Sequence, residues 1–320
     1  MRTFSFRKDL WVVIASVFLI QSFGVTTALA ADLKPLLVGD QRGTTRAVLE
    51  ASGQLKDVPY KIEWADFANA APLLEALNAD AIDVGGAGDA PLLFAQAAGA
   101  KIKAISATRY VSTRGVAIIA NANSPLSGIA SLRGKKVATA RGSIGHYLLL
   151  SALLKAGLKT SDVNIIFLNP SEAKAALSSG AIDAWSIWDP YVAYAQYKDK
   201  AKIVVENDGL TSLLAYEAAS DHAIAAKRVQ LKDFVRRLAI AFTWASNNPE
   251  KYAKIQADIS GFPLAVHLLS AKSTKFEPVP IDQKVIDAQQ KTADVWFQSG
   301  SIPKRVNVKD GFDASFNPTF

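Results

Sequence analysis

The chain has 320 residues, of which 50% are hydrophobic and 20% charged, and 36 Lys and Arg against 29 Asp and Glu give a formal charge of +7. This composition is too apolar for a disordered chain, and the length suffices for two packed domains. The chain has no Cys, which excludes disulfides, thiolate-bound metals, a Cys nucleophile and a lipid anchor on an N-terminal Cys. Three His are too few for a typical His-built metal site, so no metal and no cofactor are predicted.

The N-terminus has the three parts of a secretory signal peptide. Arg2, Arg7 and Lys8 precede an apolar run over 10–20, and the small residues 28–30 (ALA) follow a polar break. A membrane anchor is the alternative reading, but this run is short of the roughly 20 apolar residues that a span needs. We therefore predict a signal peptide over 1–30, cleaved after Ala30, and a periplasmic protein that is not a lipoprotein.

Removing this segment lowers the formal charge from +7 to +5, because it carries three basic residues and one acidic residue. The remaining Lys and Arg form no run longer than two, so no nucleic-acid partner is predicted. The small basic excess that remains favours an anionic small ligand, although only weakly.

Short apolar or β-branched runs alternate with helical patterns along the rest of the chain. Apolar spacing predicts one helix over 147–157, ended by Gly157, and another over 231–246, followed by Pro249. Strands that alternate with helices indicate βαβ units and mostly parallel sheets. The predicted strands are 36–40, 60–65, 81–85, 101–107, 116–120, 135–140, 164–168, 181–187, 201–205 and 213–218.

The chain also repeats itself once, with a spacing close to 100 residues. The segment 73–83 (LLEALNADAID) is echoed by 175–183 (AALSSGAID), and the strand that follows each copy ends at an Asp, Asp89 and Asp189. Two copies are too few for a solenoid. They predict two α/β lobes built from one β-α-β-α-β unit.

Three predicted strand-to-helix turns, 40–45, 85–91 and 141–146, combine glycine with a short polar residue at the helix start. Ligands of parallel sheets bind beyond the carboxyl ends of the strands, where free helix N–H groups and the positive end of the helix dipole converge. One such turn is an ordinary helix cap, whereas three in register across two lobes predict an anion site. None of them matches a P-loop or a full dinucleotide-binding fingerprint.

Aromatic residues concentrate in the segment 184–191 (AWSIWDPY). Strand alternation places Trp185 and Trp188 on opposite faces. We assign Trp185 to the core and Trp188, at the strand end, to the wall of a cleft. An aromatic wall suits a ligand with an organic tail, which free sulfate and phosphate lack.

The segment 88–100 (GDAPLLFAQAAGA) and the segment 184–191 resemble signatures of the aliphatic sulfonate-binding proteins of ABC importers, and further similarity runs through 276–280, 289–294 and 302–304. The resemblance covers about 33–308. It implies an α/β architecture, the type II periplasmic-binding fold, in which two lobes joined by two hinge crossings enclose a ligand cleft. The crossings are expected near 116–120 and 215–220, which gives a discontinuous lobe, 32–117 plus 219–320, and a continuous lobe, 118–218.

The resemblance further implies a monomer that captures an alkanesulfonate in the periplasm for sulfur acquisition and delivers it to a membrane permease with its ATPase. The Asp89 carboxylate would repel an anion, so it is expected to cap backbone N–H groups while its own amide faces the ligand. Arg109 either adds positive charge or is simply solvated, and Arg42 keeps the charge of the Lys found there in many relatives. The expected ligand-binding residues are Gln41, Arg42, Gly43, Thr44, Gly88, Asp89, Arg109, Gly142, Ser143, His146, Trp188 and Asp189.

Other ligands and one other class of protein stay open. Taurine, nitrate, bicarbonate and heteroaromatic vitamin precursors are the alternative ligands, although nitrate and bicarbonate would leave Trp188 unexplained. Sulfinate desulfinases resemble this fold, but they use a Cys nucleophile, which this chain lacks. No Ser-His-Asp set is apparent, and a general-base role for His146 is not excluded by the sequence. The sequence therefore favours a binding protein over an enzyme.

Overall fold

Two β-sheets organise the chain in the computed structural model, which describes residues 33–41, 44–112 and 114–317. The predicted signal peptide lies outside these residues. Strands β1 to β11 span Leu36–Gln41, Ile62–Phe67, Val84–Gly88, Ile102–Val111, Val116–Ala120, Lys136–Thr139, Asn164–Phe167, Ala184–Trp188, Lys202–Glu206, Leu214–Ser220 and Lys275–Val279. Helices α1 to α11 span Thr44–Ala51, Ala70–Asn78, Asp89–Ala97, Ile144–Lys155, Pro170–Ser179, Tyr191–Lys198, Asp221–Ala226, Arg228–Asn247, Pro249–Ser260, Leu264–Ser273 and Gln283–Gln298.

The first sheet has the order β11-β4-β10-β3-β1-β2 and the second has the order β7-β6-β8-β5-β9. Strand β1 pairs in parallel with β2 and β3, and β6 pairs in parallel with β7 and β8. The prediction of mostly parallel sheets is wrong, because the strands that follow each crossing enter antiparallel. Strand β10 lies between β3 and β4, and β5 lies between β8 and β9, each antiparallel to both neighbours.

The predicted internal repeat is confirmed by this topology. The units β1-α1-β2-α2-β3 and β6-α4-β7-α5-β8 occupy the same relative positions, with the orders β3-β1-β2 and β8-β6-β7. Equivalent helices start at the carboxyl ends of equivalent strands in the two sheets. The two sheets therefore contain the same β-α-β-α-β unit, and its two copies follow one another along the chain.

The strands locate both crossings earlier than the sequence predicts. Strand β4, which ends at Val111, belongs to the first sheet and β5, which begins at Val116, to the second, so the chain passes from one sheet to the other between these two strands and not within 116–120. It returns over 207–213, between β9 and β10, and not within 215–220. The sequence expectation falls on β5 and β10 because each is an apolar strand that directly follows a crossing. We propose lobe borders within these two linkers.

The ten predicted strands are all present, β5 with the predicted bounds and the other nine with shifted ends, and the two predicted helices correspond to α4 and α8. The prediction misses β11, which carries Pro278 and pairs at the edge of the first sheet with β4 alone. Proline is tolerated at sheet edges but weakens the sequence signal for a strand. Strand β4 also continues to Val111, so Arg109 lies within it and not beyond its end.

A buried apolar cluster connects the two lobes. Leu93 of α3 and Trp296 of α11 pack with Tyr147 and Leu150 of α4. The C-terminal helix α11 therefore contacts the second lobe as well as the first. Among the described residues, no helix is both long enough and apolar enough to cross a membrane.

Candidate functional site

The three predicted turns lead from parallel strands into helices, from β1 to α1, from β3 to α3 and from β6 to α4. Because β1 and β3 are neighbours, the Gln41 side-chain amide reaches across and donates to the carbonyl oxygen of Gly86 at 2.8 Å. The third turn belongs to the other sheet, yet a Cβ atom on Gly142 would stand 3.6 Å from the Phe94 ring of α3. The structure therefore links the first two turns directly and places the third against the helix that the second turn starts.

At the first turn, the carboxyl of Asp40 caps α1. Its two oxygens accept the backbone N–H groups of Thr45 and Arg46 at 2.9 and 3.0 Å. The Thr44 hydroxyl donates to the Gln41 carbonyl at 2.8 Å. Two predicted ligand residues, Arg42 and Gly43, lie outside the described residues. Since Asp40 already satisfies two N–H groups of this helix, fewer of them are left for a ligand than the sequence suggests.

At the second turn, Gly88 precedes α3 and Asp89 is its first residue. One carboxyl oxygen of Asp89 accepts the Ala90 N–H at 2.7 Å, as the capping expectation requires, and the other accepts the Ser212 hydroxyl. The Gln289 side chain donates to the Asp89 carbonyl at 2.9 Å. Complete burial raises the pKa of the Asp89 carboxyl to about 6. The carboxyl is thus held inside the protein by two donors, which limits its repulsion of an anion.

At the third turn, Ser143 caps α4. Its hydroxyl oxygen accepts the His146 N–H at 3.2 Å and its hydroxyl hydrogen is donated to the Ala140 carbonyl at 2.7 Å. The Gly142 N–H donates to Nδ1 of His146 at 3.3 Å. Two donors that were expected to face a sulfonate are therefore engaged within the turn in this arrangement. Their role in ligand binding stays a prediction.

His146 lies within an aromatic cluster. Its ring centroid is 4.7 Å from that of Trp296 and 5.0 Å from that of Phe167. Burial, with a smaller contribution from the neighbouring Arg141, lowers the pKa of His146 to about 4. The ring is therefore neutral at pH 7, with Nδ1 accepting a hydrogen bond and Nε2 carrying the proton.

Trp188 and Asp189 stand at the carboxyl end of β8, beside the end of its parallel neighbour β6. Trp188 is half-buried, and its ring meets the edge of Tyr191 with 6.5 Å between centroids. Asp189 accepts the Ala193 N–H at 3.1 Å. Burial raises the pKa of the Asp189 carboxyl to about 6.

Arg109 is half-buried on β4, where it stands opposite Leu214 of β10 and Glu277 of β11. Leu214 belongs to the buried cluster on the face of the first sheet that α2 and α11 cover. Arg109 therefore has an acidic neighbour across the strand pair. Its contact with a ligand stays a prediction.

Sequence reasoning missed two polar residues near the site, both in or beside β10. Ser212 holds Asp89, as described above, and Glu217 is buried opposite Gly86. A Cβ atom on Gly86 would lie 2.9 Å from Oε1 of Glu217, so glycine leaves room for this carboxyl. Burial and the nearby Asp40 raise the pKa of Glu217 to about 8, and its Oε2 has no hydrogen-bond partner. The sequence signal that could have identified Glu217 is a single Glu within an apolar strand.

The arrangement can hold an anion by backbone and neutral side-chain donors, beside an aromatic wall. In the part of the chain that the structure describes, His, Asp and Glu form no group of three that could hold a metal ion.

Residues 61–252 match the protein family described as NMT1/THI5 like. The chain is 33% identical over 292 residues to an Escherichia coli K12 protein named as an aliphatic sulfonates-binding protein, covering 89% of this chain and 91% of that protein. A Bacillus subtilis protein of the same name is 30% identical, over 97% of this chain and 96% of its own length. The solved alkanesulfonate-binding protein of Xanthomonas axonopodis pv. citri, bound to MOPS, is 32% identical with a TM-score of 0.80, over 87% of this chain and 98% of that chain.

Two more distant matches correspond to the alternatives. The taurine-binding periplasmic protein of E. coli K12 is 25% identical over 95% of this chain and 95% of its own length. A solved mutant of the desulfurization enzyme DszB has a TM-score of 0.63, with 17% identity over 89% of this chain and 98% of that chain, which shows a shared fold alone. Similarity to the solved alkanesulfonate-binding protein confirms the predicted two-lobed periplasmic-binding fold.

Proposed function

Because this chain belongs to the NMT1/THI5-like family, and two of its relatives are named as aliphatic sulfonates-binding proteins, we propose that it captures an aliphatic sulfonate for an ABC importer. The observation that supports the proposal is that Gln41 of the first turn bonds to Gly86 of the second, while Gly142 of the third turn, from the other sheet, faces Phe94 of α3. Helix N-termini that converge in this way stabilise an anion without a buried cation.

The sulfonate group is assigned to the turns and the organic tail to Trp188. A sulfonate carries its charge throughout the physiological pH range, so it needs donors and no proton acceptor. The Gln41 and Gly88 turns come from the first lobe, and the Gly142 turn comes from the second. Trp188 is half-buried at the end of β8 and presents an apolar surface for the tail.

We place the mature protein in the periplasm, where a membrane permease with its ATPase receives the ligand. The basic-apolar-small pattern of 1–30 supports export. Closure of two lobes about two linkers is a hinge motion, and the ligand-bound form is the form that docks on the permease.

A binding role is favoured over an enzymatic one by two features of the chain. The sequence contains no Cys, so a Cys-dependent desulfination has no nucleophile here. Nδ1 of His146 accepts the Gly142 N–H, and the depressed pKa of this ring makes it a weak base at pH 7.

A thermal-shift panel tests the ligand class. The purified protein is heated with ethanesulfonate, octanesulfonate, MOPS, taurine, sulfate or nitrate, each over a wide concentration range. A sulfonate at 100 times its dissociation constant adds about 2.7 kcal/mol to the free energy of unfolding. 4-Propylmorpholine is the matched control for MOPS, because it keeps the ring and propyl chain and lacks the sulfonate.

We expect the organic sulfonates to raise the melting temperature and 4-propylmorpholine to leave it unchanged. Stabilisation by nitrate or sulfate alone would contradict the proposal. If taurine stabilises the protein most, the ligand class is the aminosulfonates. Turnover of a sulfonate or sulfinate by the pure protein would show that the protein is an enzyme.

A further inference from the structure

The helices α9 and α10 form a hairpin whose corner, 261–263 (GFP), is held in one conformation. Gly261 ends α9 with a φ of 71°, which favours glycine. The Ser260 hydroxyl is 2.6 Å from Nε2 of His267 and also accepts the Phe262 N–H at 3.2 Å. These bonds fix the position from which Phe262 projects.

Phe262 crosses from this hairpin to the second lobe. Its ring centroid is 5.0 Å from that of Tyr194 and 5.6 Å from that of Tyr191, the latter in an edge-to-face arrangement at 82°. Both tyrosines lie on α6, which follows β8 directly. The Lys174 ammonium lies 4.2 Å from the centroid of the Tyr194 ring. Phe262 thus packs on two aromatic rings of the second lobe, and Lys174 of the same lobe contacts one of them.

This contact continues to the predicted ligand wall. Tyr191, which touches Phe262, also meets the ring of Trp188 at 88°. A second contact runs in parallel, because helix α10 also packs against α6. The segment of the second lobe that runs from Trp188 into α6 is therefore contacted both by the corner and by the second helix of one hairpin of the first lobe.

We propose that Phe262 and the two tyrosines of α6 form an interlobe clasp that positions Trp188 over the ligand, so that ligand affinity depends on a residue outside the three turns. In each contact the two residues belong to different lobes, so an opening of the hinge separates them. The clasp and the ligand then favour the same closed arrangement, and each increases the population in which the other is bound. Phe262 is a positioning residue, and the inference rests on the proposed function for the identity of the ligand and for the place of Trp188 in its site.

The test compares Phe262→Ala and the milder Phe262→Leu with Leu264→Ala. Leu264 is the matched control, because it lies two residues away in the same hairpin and its side chain is 44% exposed. The absence of Cys from the chain allows clean double spin-labelling at Glu75→Cys on α2 and Ser178→Cys on α5, exposed positions in the two lobes. The label-to-label distance reports closure, and calorimetry with ethanesulfonate and MOPS reports affinity.

We expect Phe262→Ala to lengthen the mean label distance with and without ligand, and to weaken both sulfonates about tenfold, since two aromatic contacts are lost. Phe262→Leu should fall between this variant and the wild type in both readouts. Leu264→Ala should match the wild type.

Wild-type affinity and an unchanged label distance in Phe262→Ala would overturn the clasp, as would equal effects of Phe262→Ala and Leu264→Ala. Failure of the proposed function gives a different result, in which the wild-type protein binds no sulfonate. The comparison of label distances without ligand still decides the clasp in that case.

Discussion

Asp83 and Asp183 accept equivalent backbone hydrogen bonds, one in each of the two sheets. Oδ2 of Asp83 accepts the Leu37 N–H at 2.6 Å, and Oδ2 of Asp183 accepts the Lys136 N–H at 2.8 Å. Each Asp therefore ties the start of a third strand to the first strand of its own β-α-β-α-β unit. The repeated Ala-Ile-Asp of the sequence thus marks a repeated hydrogen bond. The two sites differ in charge, because Asp83 also pairs with the Lys227 ammonium at 2.6 Å, with both side chains 11% exposed.

This difference predicts unequal costs for the same substitution. Asp83→Asn leaves the Lys227 ammonium buried without its carboxylate, which should lower the free energy of unfolding by about 3 kcal/mol. Asp183→Asn, at an exposed position, should cost about 1 kcal/mol, the usual value of one hydrogen bond. Urea denaturation at pH 7 measures both, and equal losses would show that the ion pair contributes nothing.

Trp188→Ala should reduce affinity for octanesulfonate more than for methanesulfonate. The half-buried indole offers apolar surface to a long tail, and each methylene removed from water contributes about 0.8 kcal/mol. Isothermal titration of the two sulfonates gives the two losses. Trp185→Phe is a control, because Trp185 is fully buried in the core of the second lobe. Equal losses for both sulfonates in Trp188→Ala would remove the aromatic-wall role.

Gly145 sits where α4 meets β8, and alanine should not fit there. A Cβ atom on Gly145 would be 2.5 Å from the Ser186 carbonyl oxygen, so the start of α4 must shift. We expect Gly145→Ala to cost about 1–3 kcal/mol of stability and to weaken sulfonate binding by displacing the third turn.

Gly180→Ala is the control for this prediction. Gly180 has a φ of 75° but open space around it, so alanine there should cost about 1 kcal/mol of backbone strain and leave binding unchanged. Thermal unfolding and titration with ethanesulfonate compare the two variants. Similar ethanesulfonate affinities of Gly145→Ala and Gly180→Ala would show that binding does not depend on the position of the start of α4.

Glu217 should make stability fall as the pH rises. Its folded pKa of about 8, raised by burial, exceeds the ordinary value of 4.5, so the folded chain binds more protons than the unfolded chain between pH 4.5 and 8. The stabilising effect of the protonated form is complete below pH 4.5 and is lost as the pH approaches and passes 8. Relative to the wild type, the free energy of unfolding of Glu217→Gln should rise by on the order of 4 kcal/mol from pH 4.5 to pH 8. A constant difference between the two unfolding curves would argue against a neutral Glu217.

His146 should have the opposite effect at acidic pH. Its folded pKa of about 4 lies below the ordinary 6.5, so the unfolded chain binds more protons between these values. The contribution is complete above pH 6.5 and is lost as the pH falls through 4, on the order of 3 kcal/mol in all. His146→Asn keeps an acceptor for the Gly142 N–H and should flatten this dependence, measured by urea midpoints from pH 4 to 7. An unchanged slope would place the titration elsewhere.

Local sequence patterns predict an element correctly where a residue type has a single structural role. Leucine spacing predicted α4, and the Ala-Ile-Asp repeat predicted two equivalent units, because strand and helix periodicity depend on near neighbours. The edge strand β11 was missed, since Pro278 obscures it. The direction of β10 is misjudged, because nothing local distinguishes this strand, which lies antiparallel between β3 and β4, from a parallel one.

The sequence by itself determined the absence of Cys chemistry, the repeated α/β unit and the glycine turns that start α3 and α4. These features depend on composition and on residues within a few positions of each other. Only the tertiary structure decided that Ser212 holds Asp89, that Nδ1 of His146 takes the Gly142 N–H, and that Phe262 reaches Tyr194. The first and third of these contacts join residues more than 60 positions apart, and the second depends on a side-chain rotamer. Their geometry arises when the sheets form and the lobes pack together, and no local pattern encodes it.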